Sequence, residues 1–403
     1  MSHTDYASLI NTIIIKIILH TYLGNIPTGH NACIIMRRLF ILLSFSLSVL
    51  DADAAGVLQN VSDTIVSLDG FRDGIHHWNL EHPQRNYPRY APSQYREIAD
   101  NLLAYQNADG GWPKNIDWLA VLPADSVKAA LRERYRRSTL DNRNTFPQIE
   151  YLGDVYSLTS DLRYRDAAER GLDFLLHTQK PNGGWRGWDV DAITFNDEVT
   201  TGALALFLKI SKGDSSFAWL DSSRRDSIAS ALQRGIDMIL KCQYVQDGVL
   251  TAWGQQHDNE TFLPVKARTF ELPSLTARES CDVIMFLMDI PSPDEAVRQA
   301  VRSAVAWLER VALHGFRVDE QPLPAERIIN HEYPFDRVVV ADTSAPRIWA
   351  RFYEMSDNRP FMCRRDGTKV WRLADVDAER RTGYDWYGYW PEEVISRFYN
   401  EYR

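Results

Sequence analysis

From Pro92 onward, apolar positions recur at three- and four-residue spacing over long stretches, and few stretches show the alternation expected of strands. SQYREIADNLLAYQ is one such stretch, followed by NTFPQIEYLGDVYSLT with YRDAAERGLDFLLHTQ, VTTGALALFLKIS with RDSIASALQRGIDMILKCQ, and CDVIMFLMDI with DEAVRQAVRSAVAWLERV. The spacing predicts helices that come in pairs. A short phrase closes several of them: QNADGGW at 106–112, QKPNGGW at 179–185, and a degenerate copy, QYVQDGVLTAW, at 243–253. Each helix pair leaves an apolar face for its neighbour to cover, so the pairs stack either as an open superhelix or as a closed toroid. A toroid of inner and outer helices is expected, because it sets the Gly-Gly-Trp loops on one rim around a common cleft. From about Phe316 the helical period weakens and Pro, Arg and Trp become frequent, which predicts long loops packed over that rim.

The N-terminus is of another kind. From Met36 a basic start, an apolar run over 39–50 and small residues at Ala52 and Ala54 have the layout of a signal peptide over 36–54. About twelve apolar residues fall short of the roughly 20 needed to span a membrane. Residues 1–35 are then an extension upstream of the true start, and 55–90 an N-terminal segment. A secreted or periplasmic protein is expected, without a membrane anchor once mature, and monomeric. The formal net charge of -9 excludes a generally basic nucleic-acid footprint, so any anionic ligand needs a local cluster of Lys and Arg. The four cysteines follow neither metal-site spacing nor a disulfide scaffold.

Acidic groups open helices directly after loops: Asp141 in LDNRNT, Asp197 and Glu198 in FNDEVT, Glu279 in ARES. Helix capping accounts for any one of them. Their shared position on the side of the Gly-Gly-Trp loops points instead to a ring of carboxylates able to bind a hard cation such as Ca²⁺. Lys114, Arg143, Lys241, Arg268, Arg278, Arg351 and Arg365 gather toward the same rim. Arginines beside aromatics in RFYEMSDNRPFMCRRDG suit a bidentate grasp of carboxylates. Trp253, Trp349, Tyr384, Trp386 and Tyr387 either stack on sugars or pack loops. The chain has no P-loop, GxSxG, HExxH or GxGxxG signature.

NADGGWPKN (107–115), TLDNRNTFPQIEYL (139–152), TFNDEVTTGAL (194–204), TAWGQQHD (251–258), ARTFELPSL (267–275), RFYEMSDNRPFMCRRDG (351–367) and RRTGYDWYGYWP (380–391) together resemble the family 10 pectate lyases. The resemblance covers about 90–403, which makes 91–403 the catalytic domain. It implies an all-α (α/α)3 toroid and Ca²⁺-assisted β-elimination of polygalacturonate. By motif position it implies Arg365 as catalytic base, Asp141, Lys241, Arg268, Arg278 and Arg351 as substrate binders, and Asp141, Asp197 and Glu198 as metal carboxylates. Arginine holds its proton tightly, so the resemblance also implies an alkaline optimum. The alternative is a glycoside hydrolase on an α/α toroid, with two of the four acids as acid and base.

Overall fold

Helices carry most of the structured chain, and their pairing follows from the apolar faces read above. The computed structural model describes residues 66–81, 87–121, 137–324, 327 and 334–403; the expected leader at 36–54 and the extension before it lie outside them. The helices are α1 (Arg72–Glu81), α2 (Tyr95–Tyr105), α3 (Phe146–Thr159), α4 (Leu162–Thr178), α5 (Val199–Ser211), α6 (Ser222–Cys242), α7 (Ala277–Met288), α8 (Glu295–Arg310), α9 (Ala378–Thr382) and α10 (Trp390–Arg397). They pair as α3 with α4, α5 with α6 and α7 with α8. One row runs α3, α5, α7 and a second runs α4, α6, α8, each helix packing on the next in its row. The first row is the more apolar and is called the inner row, the second the outer row: α5 of the inner row buries ten residues from Val199 to Ile210. Val66, Phe71 and Trp78 join the same core from the N-terminal side.

The Gly-Gly-Trp loops repeat down to single bonds. Gln106 Nε2 donates to the carbonyls of Gly110 and Ala167. Gln179 Nε2 does the same with Gly183 and Ala231, and Gln243 Nε2 with Thr251 and Ala300. Each amide therefore ties its loop to the next helix of the outer row. The indole N–H of Trp112, Trp185 and Trp253 donates back to a carbonyl in the last turn of the preceding helix, at Leu102, Leu175 and Ile239. Trp349 repeats this bond with Leu308 at 2.7 Å. It is a fourth copy, separated from α8 by a hairpin, and its spacing hid it in the sequence. Gly110 and Gly183 have φ of +91° and +100°, and a Cβ at either would stand 2.2 Å from the carbonyl oxygen of Arg170 or Arg234. Only glycine meets both conditions.

The all-α expectation is wrong. The described residues are 47% helix and 14% strand, with several antiparallel sheets, so a mixed helix-and-sheet fold replaces the all-α toroid. The C-terminal region is built from strands rather than loops alone. A regular hairpin pairs Phe316–Pro322 with Phe335–Ala341. A four-stranded sheet runs in the order Lys369–Val370, Pro360–Cys363, Phe352–Tyr353, Leu275–Thr276. Most of these strands are two residues long, too short to show a period of two. The long hairpin has no fully buried position on either strand, so it carries no apolar alternation.

Candidate active site

The site lies where the sheet meets the first row of helices. Thr276 pairs with Phe352, and the amide of Ala277 donates to the Arg351 carbonyl at 3.1 Å. That register sets the Arg351 side chain against the first turn of α7. Its Nε donates to Glu279 Oε1 at 3.1 Å, and its Nη2 to the same oxygen and to Asn196 Oδ1 at 2.9 Å. Gln255 Nε2 donates to Glu279 Oε1 at 2.9 Å, to the Tyr384 hydroxyl at 3.0 Å and to Asn196 Oδ1 at 3.2 Å. The Arg351 guanidinium also stands 4.4 Å from the centre of the Tyr384 ring. Burial alone would push the Glu279 carboxyl up, but Arg351 and the Gln255 amide bring it below its ordinary value. Burial works against the charged Arg351 as well, and Glu279 overrides it and holds the guanidinium protonated.

Asn196 links this network to the acids, donating from Nδ2 to Asp197 Oδ2 at 2.8 Å. Asp197 is pushed up to about 8, by burial and by the charges of Asp141 and Asp73, against the pull of Arg351 and Arg268. Asp141 is buried and ion-paired with Lys114. Glu198 turns the other way, to Arg143 at 2.8 Å. Burial raises its carboxyl against the pull of Arg143 and Arg278. Nearby Asp282 is pushed up to about 7 by burial and by Glu198, with Arg278 opposing. The backbone is strained here: Asn142, Arg143, Thr145, Asp197 and Glu198 all have φ between 50° and 71°.

The remaining expected residues spread out from this centre. The Arg268 Nη2 donates to buried Glu271 at 2.5 Å, which offsets burial and holds the guanidinium charged. The Arg268 Nε is buried without a hydrogen-bond partner. Arg278 lies 3.8 Å from Asp282 on the next turn of α7. Arg365 is exposed on the turn after Cys363, 3.6 Å from Glu379 and 5.8 Å from the Phe270 ring centre, a ring that Arg268 also approaches at 5.1 Å. Lys241 is exposed on the last turn of α6, 5.6 Å from the Phe262 ring centre, and makes no ion pair among the described residues. Trp253, Trp349 and Trp386 are buried in packing and offer no stacking face.

Sequence reasoning placed Lys114 at the rim without giving it a role, and left Asn196 and Gln255 unnamed. Asn196 directly precedes Asp197, and Lys114 comes two residues after a repeat tryptophan, so adjacency was the available signal. Gln255 had none, because its partners come from 59, 24 and 129 residues away.

The family model for pectic acid lyases matches residues 106–395. The chain belongs to the pectic acid lyase family. Two solved structures agree: a family 10 polysaccharide lyase from Cellvibrio cellulosa, and a point mutant of it in complex with trigalacturonic acid. Both are 29% identical to this lyase with a TM-score of 0.64, and they cover 83% of it and 98% and 99% of their own chains. No curated protein matches. The matched segment of this pectic acid lyase family member contains the network just described from Lys114 to Tyr384, whereas Asp73 on α1 precedes it.

Proposed function

We propose that this protein is a secreted pectate lyase that cleaves polygalacturonate by β-elimination with calcium, leaving 4,5-unsaturated oligogalacturonates. The observation that carries this reading is a pair of guanidinium groups, Arg268 and Arg351, each ion-paired with a buried glutamate, Glu271 and Glu279. Fixed cations beside paired acids suit an anionic sugar together with a hard cation. The complex of the Cellvibrio relative with trigalacturonic acid supports the same substrate class.

The chemistry follows from the acidity of C5. A proton next to a carboxylate leaves only if the negative charge that spreads into that carboxylate is stabilised where it forms. Arg268 and Arg351 would hold the carboxylate and take up that charge, the C5 proton passes to a base, and the C4–O bond breaks. Arg365, in the neutral form that alkaline pH favours, is the proposed base that takes the proton. Arg268 is a second candidate, favoured by a buried Nε that makes no hydrogen bond; in that role it would act in its neutral form and leave the carboxylate to Arg351.

Asp141 and Asp197 fit calcium because both offer only oxygen donors, and the charge of Asp141 raises the cost of ionising Asp197. Among the described residues no three His, Cys, Asp or Glu side chains converge as a cage, so much of the coordination would fall to water and substrate. Calcium bound there would draw charge from the substrate carboxylate as the C5 proton leaves.

The test is to incubate the protein with polygalacturonate and calcium at alkaline pH and follow the ultraviolet absorbance of the unsaturated product. New reducing ends without that absorbance would favour the hydrolase. Arg365→Lys should cost on the order of 10³-fold in kcat with KM little changed if Arg365 is the base. Arg268→Lys showing that pattern, with Arg365→Lys near wild type, would transfer the role. Export is tested by N-terminal sequencing of protein recovered from the periplasm or medium, which should begin after residue 54.

A further inference from the structure

Lys114 occupies a place that a bound cation would need. Trp112 fixes its backbone: the Trp112 amide donates to Thr145 Oγ1 at 3.3 Å, and its carbonyl accepts from the Thr139 amide at 3.1 Å. From this loop the ammonium donates to Asp141 Oδ2. The Lys114 and Asp141 side chains are 18% and 10% exposed, so water competes weakly for either charge. The ammonium also stands 4.5 Å from the centre of the Trp188 ring, and the Arg137 guanidinium stands 4.3 Å from the same ring. Next to Trp188, Asp189 is 3.9 Å from Arg268, so the 188–189 turn reaches from the Asp141 side of the site to the Arg268 side.

A carboxylate oxygen that accepts from an ammonium cannot give the same lone pair to a metal ion. We propose that Lys114 is the resident counter-ion of Asp141, that it competes with the divalent cation for that carboxylate, and that it thereby sets the cation's affinity. This rests on the calcium reading above. When the ammonium gives way, the Trp188 face keeps it at the mouth of the site, because cation–π attraction is strongest where water is partly excluded. There it is free to pair with a uronate carboxylate. One residue thus holds Asp141 ordered before the cation arrives and supplies a charge to the substrate afterwards.

The experiment is calorimetric titration of the full chain with calcium chloride alone, without substrate, for wild type, Lys114→Met, Lys114→Arg and Asp141→Asn. Lys114→Met should bind calcium on the order of tenfold more tightly, because the competitor is gone. Lys114→Arg keeps a cation and should stay near wild type, and Asp141→Asn should lose binding. In turnover, Lys114→Met should need less calcium for half-maximal rate while its KM for polygalacturonate rises. Melting curves in calcium check that each variant is folded, and the calcium-induced rise should be larger for Lys114→Met than for wild type. Equal or weaker calcium affinity in folded Lys114→Met, when wild type binds calcium, overturns the inference and leaves the calcium reading standing. Absence of calcium binding in wild type and in every variant sinks the calcium reading and this inference with it.

Discussion

The two rows of helices begin in opposite ways. In the outer row, α4, α6 and α8 are each capped by an aspartate: Asp161 accepts from the Arg163 amide, Asp221 from the Arg224 amide and Asp294 from the Val297 amide. In the inner row, α3, α5 and α7 have no side-chain cap. The residues before α3 and α5, Thr145 and Glu198, sit at φ of 71° and 55°, where a side chain is disfavoured. The acids near these inner starts turn away from the helix amides, toward Lys114, Arg143, Asn196 and Arg351. Acids near helix starts therefore do two jobs: the outer ones cap helices, and the inner ones join the charge network instead. Capping, the plain reading of any acid near a helix start, holds for the outer row and fails for the inner one.

The sharpest way to break this contrast is Arg351→Ala. Glu279 would be left as a buried, unpaired carboxylate, so a loss of about 3–5 kcal/mol in urea unfolding is expected, together with at least a roughly 100-fold drop in kcat/KM. Preserved activity would show that the inner network is only structural.

The pH dependence of stability is next in size. His257 is buried, donates from Nδ1 to the Phe262 carbonyl and accepts at Nε2 from the Gly254 amide; burial pulls it down to about 4. A group with a depressed folded value is neutral in the native state and takes a proton more readily when unfolded. Its stabilisation is complete above about 6.5 and is lost as pH falls toward 4, by up to about 3 kcal/mol. Unfolding free energies that stay flat between pH 6.5 and 5 would contradict it.

Removing an outer cap separates stability from function. Asp221→Ala should cost about 1 kcal/mol and leave kcat/KM unchanged, as a melting curve and the product assay together would report. The smallest effect is expected at Ser160, which ends α3 in the left-handed region with φ of 56°. Ser160→Gly should raise stability by up to about 1 kcal/mol, without touching activity. A fall in stability there would mean that the serine side chain makes up for its backbone.

Much of the helical part was legible because it repeats. The Gln at 106, 179 and 243 recurs with its tryptophan, and in each copy one amide bonds both its own loop and the following outer helix. The fourth copy at Trp349 was not legible, since the inserted hairpin removes the spacing on which recognition of a repeat depends. The acids and arginines of the site could be named from their motifs. Their partners could not: whether Glu198 faces Asp197 or Arg143 turns on two successive left-handed residues that no local pattern announces.

The sequence by itself determined the helix pairs, their glycine-bearing turns and the family, because periodicity, positive-φ glycine and ordered motifs are properties of neighbouring residues. Tertiary structure alone decided the mixed architecture and the charge network. Two-residue strands exist only through their partners, and the Arg351–Glu279–Asn196 contacts join segments 72 and 155 residues apart. Those contacts are set by the register of Thr276 on Phe352, which is fixed by packing and not by the residues on either strand.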